Sequence, residues 1–312
     1  MGTLDPEPRA ARGRPRAMIA ARTPLAVALG AALLIAACAV QPTPASTGVA
    51  TPTLEPTPTP GGSGLVEHPS GSDVVVLRLE EGGGIFGGMD FFATHLPTFS
   101  LYGDGTVLYA QSIVDPKGLA GPAPLRKATM DEAQMSALLG FALGQGGLAE
   151  ARADYPNPRV ADGPTSIFTV RAGGLDKTVG VYALGIESPE TPDLAIRARF
   201  LEVEAILKDF GAQVAAGRAT DAGTYDPPAY RAVLLEAQGV PGDVRGWPWP
   251  DPSPEDFAAR PNDGRRYAVI TPEQARQLAP SPEGGLFPVV VLGPDGVTYT
   301  VALRPLLPDE NE

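Results

Sequence analysis

The 312-residue chain sets 36 acidic side chains against 24 basic ones, a formal charge of −12, and a protein this acidic repels nucleic acid and anionic lipid headgroups. A single cysteine excludes an internal disulfide, and two histidines without a cysteine partner argue against zinc or copper. No metal, cofactor or nucleic-acid partner is expected.

The N-terminus reads as an export signal. Arg9, Arg12, Arg14, Arg16 and Arg22 precede an apolar run from Pro24 to Ala37. That run is shorter than the roughly 18 to 20 residues of a membrane-spanning helix, and it ends in Leu34-Ile35-Ala36-Ala37-Cys38. Cys38 is thus the expected lipidation site, with cleavage before it, diacylglycerol on its thiol and an acyl chain such as palmitate on its new α-amine. The alternative is an ordinary secretory signal cleaved near Ala37. Met1 and Met18 are both candidate starts, because Met18 to Cys38 alone makes a full signal. Removing residues 1–37 takes away five arginines, Asp5 and Glu7, which leaves 34 acidic and 19 basic residues and a net charge near −15.

The expected organisation is a signal over 1–37, a lipidated cysteine and tether over 38–64, an α+β domain over 65–220 and a smaller one over 221–312. From Gln41 to Pro60, six prolines alternate with six threonines. Such a segment buries nothing and extends at about 3 Å per residue, a spacer of roughly 60 Å.

In the folded part, Asp73 to Leu79 predicts a strand, with Val75, Leu77 and Leu79 on one face. Thr98 to Tyr102 and Thr106 to Gln111 flank Gly103-Asp104-Gly105, which predicts a hairpin. Thr129 to Glu132 has the pattern of a capping box that opens a helix carrying Met135, Leu138, Leu139 and Ala142. A second hairpin turns at Gly173-Gly174. Thr191-Pro192 then opens the longest helix, whose stripe Ile196, Phe200, Val203, Leu207, Phe210 and Val214 faces a core. Further on, Ala229 to Ala237 and Arg266 to Ile270 predict strands. Thr271 to Gln274 caps a short helix, and Phe287 to Leu292 with Val297 to Leu303 form a third hairpin. The fold class is therefore α+β: antiparallel, hairpin-rich sheets packed on one or two helices. Because a capped helix followed by a hairpin occurs in both halves, two similar small modules are a candidate arrangement.

Phe99 to Val107, the hairpin from Phe168-Thr169-Val170 to Val181-Tyr182-Ala183-Leu184, and the ending Arg304 to Glu310 resemble uncharacterised lipoproteins of high-GC bacteria. That resemblance implies an envelope address and brings no assigned catalytic or binding residues.

Candidate chemistry is sparse. His95, in Thr94-His95-Leu96-Pro97, has no Gly-x-Ser-x-Gly elbow to serve. Asp104, Asp263 and Asp295 sit in Asp-Gly turns, which turn chemistry explains better than calcium. Gly82 to Gly88 lacks the Lys-Ser/Thr of a phosphate loop. Ile85, Phe86, Phe91 and Phe92, in and beyond this run, either fold onto the sheet edge or form a candidate contact surface, with Phe86, Phe91 and Phe92 the candidate binding residues. Trp247-Pro248-Trp249-Pro250 is either a stacking platform for sugar or peptide or a plug between the two halves. The leading expectation is a lipoprotein on the extracytoplasmic face of the membrane, acting as a non-catalytic binding or envelope-interaction module for a protein or glycan. A second is an envelope hydrolase using paired carboxylates such as Asp104 or Asp162. A third is the solute-binding lipoprotein of a transporter.

Overall fold

The computed structural model describes residues 64–83, 94–110, 124–237, 243–260, 264–279 and 289–310. Cys38, Phe86, Phe91 and Phe92 lie outside the described residues. The α+β expectation holds: two antiparallel-rich sheets and their helices make up one unit, Gly62–Glu312.

The first sheet takes β1 (Val75–Gly82), β2 (Phe99–Tyr102), β3 (Thr106–Ala110), β4 (Leu125–Thr129), β5 (Asp154–Tyr155), β6 (Thr165–Ala172), β7 (Leu175–Tyr182) and β8 (Thr220–Thr224). Their order is β5-β7-β6-β1-β2-β3-β4-β8, with β5 alone parallel to its neighbour. Because β8 pairs with β4, this sheet runs past the expected boundary at 220/221. The β2–β3 turn needs its glycines. Gly105 has φ +85, and a Cβ on Gly103 would stand 2.2 Å from the Pro69 carbonyl oxygen. Upstream of Pro69 the segment is tied to other elements, Val66 N–H donating to Ser136 Oγ at 2.7 Å and Gly173 N–H to the Glu67 carbonyl at 2.8 Å.

A bulge between Val75 and Leu77 changes the expected alternation of β1. Val76, Leu77 and Leu79 all join the core under the helices, while Val75 belongs to the opposite face. The helices are α1 (Glu132–Leu143), α2 (Leu194–Lys208) and α3 (Phe210–Ala215). Met135 and Leu139 of α1 and Phe200, Val203 and Leu207 of α2 bury against Phe99, Leu101, Phe168, Val170, Val179 and Val181. Burying such side chains stabilises by about 1.5–3 kcal/mol each.

Two predicted helix starts shift. The cap of α1 is Asp131, not Thr129: Asp131 accepts Gln134 N–H at 2.8 Å and Gln134 Oε1 accepts Asp131 N–H at 2.9 Å. Thr129 is used by the sheet, paired with Thr106 and Thr220. At α2 the Thr191 hydroxyl accepts Ser188 N–H at 2.9 Å, and the helix begins at Leu194 behind Asp193. Asp209, at φ −106 and ψ 47, then separates α2 from α3.

The second sheet takes β9 (Tyr230–Glu236), β10 (Arg245–Gly246), β11 (Ala258–Ala259), β12 (Arg266–Ile270), β13 (Val289–Leu292) and β14 (Thr298–Pro305), in the order β10-β13-β14-β9-β12-β11. α4 (Pro272–Leu278) is capped as predicted, Thr271 Oγ1 accepting Gln274 N–H at 3.2 Å. The two sheets do not repeat one topology. In the first, the leading strand of the hairpin, β6, lies inside next to β1; in the second, the trailing strand, β14, lies inside next to β9. The shared helix-then-hairpin order is local only.

Candidate binding surface

The tryptophans belong to the second core. Trp249 is 3% exposed and donates to the Gln274 carbonyl at 2.8 Å, while half-buried Trp247 donates to the Pro252 carbonyl at 3.0 Å. Their rings meet edge to face at 5.3 Å and pack with Phe257 and Tyr299. Both indole N–H groups are satisfied internally, so the pair is neither an exposed platform nor the plug between the halves.

The plug is made by other residues. Val75, Tyr102, Leu108 and Leu125, on the sheet face away from the helices, are covered by Tyr225 and Leu307. The C-terminal segment is locked there by charge. Arg78 donates to Asp309 at 2.7 Å and to Ser100 Oγ at 2.9 Å, and the buried Tyr102 hydroxyl donates to the same carboxylate at 2.8 Å. Arg304 donates to the His95 carbonyl at 2.8 Å and pairs with Glu310, which also accepts Leu307 N–H at 3.0 Å. Burial raises the Asp309 pKa, but the Arg78 hydrogen bond and charge outweigh it and hold the carboxyl below its usual range. Burial pushes the Tyr102 hydroxyl far up, with Asp309 adding to the shift. Burial lowers the pKa of the His95 imidazole against the opposing pull of Glu80 and Glu81. Arg78, Tyr102, Arg304, Asp309 and Glu310 direct these bonds at one another, at Ser100 or at the backbone, an arrangement that fixes structure rather than offering a reactive atom.

Two of the carboxylates named from sequence serve local turns. Asp104 accepts Thr106 N–H at 2.9 Å, and Asp295 accepts Val297 N–H at 3.0 Å and Tyr299 O–H at 2.6 Å. Asp162 stands exposed before β6, and Asp263 lies outside the described residues. Among the described residues no group of three or more His, Cys, Asp or Glu side chains could hold a metal ion. A cleft of about 600 Å³ beside β3 contains Arg126 and Lys208, but Arg126 is committed to Asp221 and Lys208 to Glu81 and Glu204.

One corner of the first sheet is organised differently. Among the described residues, the non-glycine positions with positive φ are Asp162 (56°), Ala183 (52°) and Asp193 (61°), and they gather in the segments around Arg197. Arg197 is fully buried. Its guanidinium donates to the carbonyls of Tyr155 at 3.2 Å, Tyr182 at 2.7 Å and Ala183 at 3.1 Å, and to Glu187 at 3.1 Å. Gly163 packs against Ala183, where a Cβ would stand 2.9 Å from the Ala183 Cβ, and its N–H donates to the Tyr182 hydroxyl at 2.8 Å. Asp193 pairs with Arg152, and Asn157 donates to the Ile186 carbonyl at 3.1 Å. A left-handed non-glycine residue costs on the order of 1–3 kcal/mol, and it persists only where surrounding contacts over-determine the backbone.

This rigid corner shows apolar side chains to solvent. Ile186 is 51% exposed, and Leu194 and Leu201 are each 40% exposed. A Cβ on Gly185 would stand 3.6 Å from Leu201 Cδ1, so the loop runs beside the helix. Leu194, Ala198, Leu201 and Ala205 are all exposed and, at about 100° per residue, fall within about 60° of the α2 circumference. The buried stripe of Arg197, Phe200, Val203, Glu204 and Leu207 occupies another side of the helix. α2 therefore has two apolar faces, one in the core and one in solvent. Sequence reasoning found only the first, although the spacing 194, 198, 201, 205 was there to be read.

No protein-family model, no curated protein and no solved structure matches the chain. Among the described residues no helix is long and apolar enough to cross a membrane.

Proposed function

We propose that this chain is a lipoprotein anchored through Cys38 on the extracytoplasmic face of the membrane, and that its folded part is a non-catalytic binding or envelope-interaction module. The observation that carries the binding role is the exposed face of Ile186, Leu194 and Leu201 on a loop fixed by Arg197. A surface that is both apolar and held in strained backbone geometry suits recognition by a protein partner: water leaves it readily and little ordering remains to be done. The anchor rests on Leu34 to Cys38 and its arginine-rich flank, and the Pro/Thr tether would set the module off from the membrane. The resemblance to high-GC bacterial lipoproteins points the same way.

Two measurements test this. The N-terminal peptide of the membrane-extracted protein should begin at Cys38 and carry the mass of diacylglycerol and an acyl chain; an unmodified Cys38 would remove the anchor. A photoreactive residue at Ile186 should give a discrete protein adduct in intact cells, while one at exposed Ala133 on α1 should not. Equal yields at the two positions, or none, would remove the binding surface.

A further inference from the structure

We infer that the groove between α1 and the α2–α3 pair binds a long-chain carboxylate, its alkyl chain lying on Leu138, Phe141 and Ile206 and its head on Arg218. The inference goes beyond the binding reading above and does not rest on the corner.

The groove holds about 500 Å³, within the roughly 300–1,000 Å³ of small-molecule sites. Its two sides run antiparallel. A Cβ on Gly146, just past the C-terminal end of α1, would stand 2.3 Å from Val203 of α2. At the opposite end, Gln134 in the first turn of α1 donates to the carbonyl of Gly217, just past α3, at 3.2 Å. Met130 and Phe210 are buried beneath, and the Phe210 ring packs on Phe99 at 4.8 Å and on Tyr109 at 5.4 Å. The floor is therefore set by the core, and little ordering remains for a ligand to impose.

Polarity is sorted along this length. Gln134, Gln213, Gly217 and Arg218 stand together at one end. Leu138 and Phe141 follow on α1, about 6 and 10 Å further along its axis, with Ile206 on the facing helix. All three apolar side chains are half-buried, so each has surface left to cover. One polar end and one apolar end match an amphiphile.

Charge selects the head. Among the described residues that line the groove Arg218 alone is charged, and the charge is positive in a chain of net −12. Its Nη1 donates to the neutral Gln213 Oε1 at 2.8 Å, and it has no carboxylate partner among the described residues. In the cleft beside β3, by contrast, both cations are committed to carboxylates. With Nη1 engaged, the Nε and Nη2 edge of the guanidinium is left, and two parallel N–H groups there suit the two oxygens of a carboxylate. The backbone holds Arg218 at this end: Gly217 takes φ +73, Arg218 N–H donates to the Gln213 carbonyl at 2.9 Å, and Ala219 is buried. Because Arg218 is exposed, the ion pair sets preference and the covered chain supplies most of the affinity.

The test is photolabelling of the purified full chain with dodecanoate carrying a diazirine near its methyl end, at a concentration below saturation. The label should fall in peptides containing Leu138, Phe141 or Ile206, and unlabelled dodecanoate should compete for it while dodecyltrimethylammonium should not. Arg218→Gln, an exposed substitution, should lower the yield about three- to fivefold, the scale of an exposed ion pair. Ala137→Trp fills the groove from its exposed side and should lower the yield at least about tenfold with the circular dichroism retained. Labelling elsewhere, equal competition by the cationic amphiphile, or a yield indifferent to Arg218→Gln would overturn the assignment. Should Ala137→Trp fail to fold, the site of labelling and Arg218→Gln decide the matter between them.

Discussion

Two regions of this protein use charged groups to fix backbone, and they differ in what is left facing solvent. At the seam, Arg78, Tyr102 and Asp309 draw the C-terminal segment onto the first sheet, and Leu307 and Tyr225 are buried in the process. At the corner, Arg197 gathers three carbonyls and Glu187 in a similar way, yet Ile186, Leu194 and Leu201 stay exposed. The seam closes on the chain's own residues. The corner has the same kind of wiring while its apolar side chains face solvent, which is why a binding role is proposed for it and a structural one for the seam.

The largest expected effect breaks the corner. Arg197→Leu strips donors from three carbonyls and leaves Glu187 without its cation, so it should cost about 3–5 kcal/mol, read as a lower denaturant midpoint. Asp309→Ala opens the seam instead. It leaves the Arg78 guanidinium and the Tyr102 hydroxyl without their carboxylate and should cost about 1.5–3 kcal/mol.

The seam also carries part of the pH dependence. Because the Asp309 pKa is depressed on folding, its contribution is present above the ordinary value near 3.8 and is lost as pH falls through the lower folded value. Asp309→Ala should remove that acid-dependent part of the stability. At the other end, burial raises Tyr225 from 10.0 to about 12, so its contribution is present below pH 10 and is lost as pH rises between the two values. Tyr225→Phe should make the alkaline limb of a stability profile shallower and leave the part that Tyr102 contributes.

Smaller changes separate strain from recognition. Ala183→Gly places glycine at φ 52° and should stabilise by up to about 1 kcal/mol, a rise in Tm of a few degrees. Leu194→Glu with Leu201→Glu lies on the solvent side of α2 and should shift stability by no more than about 0.5 kcal/mol per substitution while abolishing the adduct from a photoreactive residue at Ile186. A large loss of stability would make that face structural.

Much of the fold was readable because local signals suffice for it. Gly103-Asp104-Gly105 and Gly173-Gly174 supply the positive φ of tight hairpins, and Thr271 to Gln274 caps a helix from within four residues. What failed depends on partners distant in sequence. Thr129 has the composition of a cap but is drawn into pairing with Thr106 and Thr220, and the bulge in β1 moves Val76 to the helix side. β5, β10 and β11 are two-residue strands with no periodicity to find. Trp247 and Trp249 look like a platform in a proline-bounded loop; only the positions of Gln274, Phe257 and Tyr299 show them to be core. The corner was unreadable for a related reason. Ala183 and Asp193 are ordinary residues whose left-handed geometry is imposed by Arg197, Gly163 and Arg152, from other parts of the chain.

The most direct test of the corner as an interaction surface is oxidative footprinting of the chain, compared between the purified protein and intact cells. Protection in cells should rise across residues 183–205 and stay constant at the seam, residues 304–310. Protection that is the same in both settings throughout, or that rises at the seam and not at the corner, would contradict the proposal.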